Sequence, residues 1–224
     1  MGQMWSEWAS GWMLKISAVI PAHNEESTIG EIVQGCMRYC DEVLVVDDAS
    51  SDMTSQVARA AGATVTRNRA NLGIVKSTEI GLRLASQEVV VTLDADGQHD
   101  PSEIPSVVRP IAQDLADLVL GKREHGRPLS EQVISTLTSL RVKCEDVGTG
   151  YRAFRGDLAH MIRLWGFCLC GSLVLEAQRQ GARIVEVPIT IKPRKAGKSH
   201  WPSPLSRGTV HCKQAVLLAW HLIM

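Results

Sequence analysis

Three short polar clusters carry the chemistry this chain offers. They are Pro21–Glu25 (Pro-Ala-His-Asn-Glu), Asp47–Asp52 (Asp-Asp-Ala-Ser-Ser-Asp) and Asp94–His99 (Asp-Ala-Asp-Gly-Gln-His). Asp94 and Asp96, two apart on a turn, can both face one hard cation, and Gln98 or His99 beside them can add a ligand. Oxygen-rich sites of this kind suit Mg²⁺ or Mn²⁺, which keep coordination positions open for phosphate oxygens. The same Asp-Ala-Asp-Gly run also fits an ordinary β-turn, because Asp and Gly dominate turns. Arg194 to Lys198 is a basic stretch. It reads either as a solvated turn or as a loop closing over a phosphate, with Arg as a two-point grip and Lys as a point charge. No GxGxxG follows the first apolar run and no GxxxxGK[ST] occurs, which disfavours a dinucleotide oxidoreductase or a P-loop enzyme.

Each cluster follows a β-branched run: strands are expected at 15–21, 42–47 and 88–94, with further strands at 63–67, 117–121 and 183–191. Helical patterns occupy 26–39, 52–61, 74–86, a segment opened by Asp100-Pro101, 129–142, 156–165, 172–181 and 207–224. Continuous apolar strands alternating with helices predict an α/β fold whose mostly parallel sheet is covered on both faces. Ligands of such sheets bind beyond the carboxyl ends of the strands. The three clusters are therefore expected to converge on one crevice.

The chain has 224 residues, enough for one α/β domain and short for two. Apolar residues make up 45% and charged residues 21%, a globular composition. Lys plus Arg (24) balance Asp plus Glu (24), which gives no electrostatic footprint for nucleic acid. Cys36, Cys40, Cys144, Cys168, Cys170 and Cys212 include no pair of CxxC knuckles and read as reduced thiols, not as a zinc site. No apolar run is long enough to span a bilayer, and the start lacks a signal-peptide pattern. A cytoplasmic location is expected, with peripheral contact on the cytosolic face of a membrane left open.

The ordered set Val19–Glu25, Val45–Asp52, Asn71–Gly73 with Gly81-Leu82, and Asp94–His99 resembles glycosyltransferase family two. More narrowly, it is similar to the dolichyl-phosphate mannosyltransferase and polyprenyl-phosphate glycosyltransferase branch. Gly121–Arg123, Asp146–Phe154, Glu186–Ile189 and Arg194–Ser199 agree with it. The resemblance covers about residues 15–200 and implies one GT-A domain there, with an N-terminal extension over 1–14 and a C-terminal helix over 201–224. It implies an inverting, divalent-metal-dependent enzyme that moves a hexose from a nucleotide-diphosphate sugar of the GDP-mannose or UDP-glucose type to a polyprenyl phosphate. By position, Pro21, His23 and Glu25 would line base and ribose, with Asp47 holding one of them. Asp94 would sit on the donor side, and Asp96 and Gln98 would hold Mg²⁺ or Mn²⁺ with it. Arg123, Thr149, Arg152 and Arg194 would surround the acceptor phosphate or the leaving diphosphate.

A hydroxyl acceptor needs a general base, and Glu176 is the nearest candidate; the alternative is a solvated or helix-capping carboxylate. A phosphate-monoester acceptor needs none, since its second pKa is about 6. Only 24 residues separate Gly121 from Asp146, fewer than the lipid-phosphate enzymes usually have. The acceptor thus stays open between a polyprenyl phosphate and a soluble hydroxyl, and a catalytically silent nucleotide-sugar-binding subunit is the rival from another class. Trp5, Trp8 and Trp12, on one helical face, and the apolar tail Ala215–Met224 suit a peripheral membrane contact as well as core or dimer packing. The sugar, the nucleotide and the oligomeric state are not specified by the residues.

Overall fold

The computed structural model describes residues 14–194 and 204–223. Trp5, Trp8, Trp12 and Lys198 lie outside the described residues. Seven strands form one sheet: β1 (Ile16–Ala22), β2 (Glu42–Asp47), β3 (Thr64–Arg67), β4 (Val89–Thr92), β5 (Leu118–Arg123), β6 (Arg152–Arg155) and β7 (Ile184–Ile189). Their order is β3-β2-β1-β4-β6-β5-β7. The helices are α1 (Ile29–Cys36), α2 (Thr54–Ala60), α3 (Ile74–Leu84), α4 (Ile104–Ala112), α5 (Leu129–Ser139), α6 (Gly156–Met161), α7 (Ser172–Arg179) and α8 (Pro204–Ile223). A 3₁₀ turn at Pro101–Glu103 leads into α4, with the Asp100 carboxylate accepting from the Ser102 N–H.

Both faces of the sheet are buried, as the unbroken apolar runs require. Ile16, Ala18, Ile20 and Ala22 of β1 point into one core with Ile29, Ile32 and Val33 of α1 and Ile104, Val107 and Val108 of α4. The i, i+3, i+4 spacing of those helical residues makes one apolar stripe per helix. Val19 and Val90 point the other way, into a second core with Leu82 of α3, Ile134 of α5, Leu173 of α7 and Leu218 of α8. Gly81 lets α3 settle directly on β1, where a Cβ would strike Val19.

β1, β2, β3 and β4 run parallel, with Ala22 opposite Asp47 and Val19 opposite Thr92. The polar residues after β1, β2 and β4 therefore leave the sheet at one edge. β6 was not legible in the sequence. It lies antiparallel between β4 and β5, pairing Thr92 with Arg152 and Leu120 with Arg152 on its two sides. Four residues with arginine at both ends show no strand pattern; the open hydrogen-bonding edges of β4 and β5 make them a strand. The C-terminal helix is described from Pro204, and proline is tolerated in a first helical turn.

Candidate active site

The three clusters do converge, held by named bonds. The His23 Nδ1 lies 2.8 Å from the Asp48 carbonyl. The Asn24 N–H donates to Ser50 Oγ at 2.9 Å, and Asn24 Oδ1 accepts from the Ser51 N–H at 2.7 Å. Asn24 (φ 55°) and Ala49 (φ 59°) are both in the left-handed region, where a non-glycine residue is disfavoured. Such conformations persist where surrounding bonds over-determine them, as they do here. Thr28 Oγ joins the first cluster to the third by donating to the Ala95 carbonyl at 2.7 Å.

Asp47 is fully buried. It accepts from the Ser50 N–H at 2.8 Å, from Ser55 Oγ and from Arg67 Nη1 at 3.1 Å. Burial pushes its pKa up, but the bonds from Ser50 and Ser55 with the Arg67 charge outweigh this and leave it below the ordinary value. Its carboxylate thus fixes the loop that follows β2. The neighbouring Asp48, not singled out by sequence, gathers Asn68 Nδ2, the Leu72 N–H and the Gly73 N–H, each at 2.8 Å. The signal for it was the doubled Asp-Asp at a strand end next to Asn71–Gly73. Pro21 closes β1 within the buried part of the strand.

At the third cluster, Asp96 accepts from the Gln98 N–H at 3.0 Å and from Arg194 Nη1 at 3.1 Å. The other arm of the Arg194 guanidinium is bonded to Glu25. The segment carrying Arg194 is pinned across the acidic turn: the Lys192 N–H donates to the Gln98 carbonyl at 2.9 Å, and Gln98 Nε2 donates back to the Lys192 carbonyl at 3.3 Å. Burial raises the Glu25 pKa despite Arg194, and burial with the Asp94 charge raises that of Asp96. Asp94 is the open member of the set, with its side chain 42% exposed.

Two carboxylates thus grip one guanidinium with a third, Asp94, beside Asp96, a donor set with a surplus of negative charge and hard oxygen atoms. Asp94, Asp96 and the Gln98 side chain fit a divalent cation of the Mg²⁺ or Mn²⁺ kind. His99 does not join them. Its Nδ1 accepts from the Asp94 N–H at 3.1 Å, so Nε2 carries the proton and faces the Asp94 carboxylate at 3.8 Å. It holds the turn, buried beside Tyr151 with ring centroids 5.1 Å apart. Gly150 lies against Asp94 so closely that a Cβ would strike the carboxylate.

The remaining residues singled out by sequence sit differently. The Arg123 guanidinium is spent within the protein, donating to Asp146 through Nε at 2.8 Å and Nη2 at 2.7 Å, and to Glu131 at 2.6 Å. It is a brace for the loop after α5, not an open anion fork. Arg152 is 1% exposed. Its Nη2 donates to the Val147 carbonyl at 3.1 Å, while Nε and Nη1 have no hydrogen-bond partner among the described residues. Thr149 Oγ accepts from the Tyr151 N–H at 3.1 Å, shaping the turn beneath Asp94. Glu176 is buried on α7, accepts from Gln180 Nε2 at 2.9 Å and lies 3.7 Å from Arg179. Among the described residues no hydrogen bond or ion pair joins it to the acidic turn, and as a buried mid-helix residue bonded to a side chain it is neither a helix cap nor a solvated carboxylate.

The fold is that of the GT-A glycosyltransferases, with the acidic turn at the carboxyl edge of its sheet. Residues 17–158 match the sequence profile of glycosyl transferase family 2, and the chain belongs to that family. It is a glycosyltransferase. It is 32% identical over 216 residues to the undecaprenyl-phosphate mannosyltransferase of Micrococcus luteus, covering 83% of this chain and 87% of that one. To the polyprenol monophosphomannose synthase of Mycolicibacterium smegmatis it is 32% identical over 210 residues, covering 81% and 78%. The glucosyl-3-phosphoglycerate synthase of Mycobacterium tuberculosis, solved with Mn²⁺, UDP and glucosyl-3-phosphoglycerate, superposes with a TM-score of 0.75 over 97% of this chain and 82% of that one. At 22% identity, this likeness concerns the fold.

Proposed function

We propose that this enzyme transfers a hexose, with inversion, from a nucleotide-diphosphate sugar to a polyprenyl phosphate. The observation that carries the donor half is the Glu25–Arg194–Asp96 bridge beside the open Asp94 carboxylate. His23, Asn24 and Asp48 form the wall on which base and ribose would lie. Asp94, Asp96 and Gln98 would hold a divalent cation, which when bound neutralises charge on the diphosphate as the sugar–phosphate bond breaks. Arg194 reaches the same place with a two-point fork, so it can exchange its carboxylate partners for diphosphate oxygens.

Two observations support a phosphate acceptor over a hydroxyl. Glu176 is committed to Gln180 and Arg179, and a phosphate monoester at neutral pH attacks without a base. The M. luteus and M. smegmatis relatives are named for polyprenyl-phosphate chemistry. Support for a membrane-borne acceptor comes from α5 and α8. Leu129, Val133 and Leu140 form an exposed stripe along α5, and Val216 and Trp220 do the same, one turn apart, on α8. No helix among the described residues is long and apolar enough to cross a membrane, so these faces would lie on its surface.

The test is nucleoside-diphosphate release from GDP- and UDP-sugars with Mn²⁺ or Mg²⁺, with and without a short polyprenyl phosphate. Release that needs the lipid phosphate is expected. Release indifferent to the lipid would sink the acceptor assignment and favour a soluble hydroxyl. For the membrane contact, replacing Val216 and Trp220 by Ser should weaken co-sedimentation with vesicles of phosphatidylcholine and phosphatidylglycerol by about tenfold, given the apolar area lost. Unchanged partitioning would remove α8 from the membrane-facing surface.

A further inference from the structure

Apart from the residues of the acidic turn, Cys168, Cys170 and His211 come together in the second core. All three are buried, at 4%, 7% and 2% exposure. Their ligand atoms lie within 4.8 Å of one another, with Cys170 Sγ 4.0 Å from His211 Nε2. We infer that Cys168, Cys170 and His211 bind a structural zinc ion that ties the C-terminal helix α8 to the loop before α7.

The donor set selects the metal class, because two thiols and an imidazole are the ligands zinc takes and Mg²⁺ or Ca²⁺ avoids. Tetrahedral zinc with Zn–S of about 2.3 Å and Zn–N of about 2.0 Å sets the donor atoms about 3.5–3.8 Å apart. The observed donor atoms, all within 4.8 Å and with Cys170 Sγ 4.0 Å from His211 Nε2, are somewhat wider than that spacing. With three protein ligands the fourth position would fall to a solvent oxygen, an open coordination unlike the four-ligand closure usual for structural zinc.

The groups around the cluster are arranged as for a metal site, whose ligands are oriented by partners of their own. Ser130 Oγ sits 2.8 Å from His211 Nδ1. When Nδ1–H donates to it, the Nε2 lone pair is left facing the sulfurs. Gln214, one turn beyond His211 on α8 and fully buried, grips the cysteine loop at both ends. Its Oε1 accepts from the Phe167 N–H at 2.8 Å, and its Nε2 donates to the Cys170 carbonyl at 3.4 Å. Gly166 (φ +90°) is required there, since a Cβ would strike the Gln214 amide. Ser172 Oγ donates to the Cys168 carbonyl at 3.1 Å.

Binding a divalent ion here would release the two thiol protons to solvent.

The experiment measures metal in full-length protein purified from zinc-supplemented cells and exchanged into metal-free buffer. About one zinc per chain is expected in the wild type and in Asp96→Ala, falling to near zero in Cys168→Ser with Cys170→Ser. Stripping the wild type with a strong chelator should lower Tm by about 5–10 °C, with recovery on adding Zn²⁺. Should the serine variant fail to fold, wild type refilled with Co²⁺ decides the question. A sulfur-to-cobalt charge-transfer band is expected, and its absence overturns the proposal. Zinc-free protein with both thiols open to alkylation in denaturant would also overturn it, as would a Cys168–Cys170 disulfide seen as a loss of two hydrogens. Zinc retained in the double serine variant would do the same. None of these readouts depends on the acceptor or donor of the transfer reaction.

Discussion

Replacing Asp96 by Asn is expected to lower kcat by about a thousandfold or more while leaving the fold intact. Asn keeps an oxygen that can accept from the Gln98 N–H, so the turn after β4 retains its geometry. What it removes is charge, at a place where burial already opposes charge and makes each ionised group count for more. In the proposed function the Asp94–Asp96 pair would supply the two charged oxygens that hold a divalent cation. Without one of them, the charge developing on the leaving diphosphate is poorly balanced. The variant also leaves Arg194 with Glu25 as its one carboxylate partner of the pair. The check is the initial rate of nucleoside-diphosphate release, with thermal melting as the control for folding. Activity within a few-fold of the wild type, at unchanged Tm, would show that the acidic turn is not the reacting centre.

Asp146→Ala should be the most destabilising single change considered, costing about 3–5 kcal/mol. Asp146 is fully buried and accepts three N–H groups of Arg123, from its backbone, Nε and Nη2, together with the Gly148 N–H at 3.1 Å. Its removal leaves most of a guanidinium buried with Glu131 alone. The penalty is the stranded charge, not the lost attraction. Urea unfolding would measure it, and Arg123→Met added to Asp146→Ala should recover part of the loss. Full additivity of the two would show that they do not act as a pair. The pH dependence has a definite sign. Burial raises the Asp146 pKa, but the Arg123 bonds and charge win and hold it below the ordinary 3.8. A carboxyl lower in the folded than in the unfolded chain contributes stability that is present above the unfolded value. That contribution is lost as pH falls below 3.8 through the folded value. The difference between wild type and Asp146→Asn should therefore shrink in acid and be constant at neutral pH.

The parallel sheet and its reactive edge were legible in the residues themselves. Runs such as Val89–Leu93 are apolar on both faces, which only a strand covered on both sides explains, and each ends in the residues that cap a site. Asp94 and Asp96 were legible for the same reason, because their chemistry lies in local spacing on one turn. Arginines were not legible to the same degree. Arg123, Arg152 and Arg194 look alike in sequence, yet one braces a loop, one is buried whole and one bridges Glu25 to Asp96. A guanidinium has the same composition in all three settings, and only the carboxylates brought to it across the fold set its task. Glu176 shows the converse, since helical spacing alone gave it Gln180 and Arg179. β6 exists because two open strand edges, those of β4 and β5, accept it, a condition set by segments far from it along the chain. The Cys168, Cys170 and His211 cluster is the limiting case, with Cys170 and His211 41 residues apart along the chain. Local sequence fixes what each residue can do; packing of distant segments decides which groups are near enough to do it.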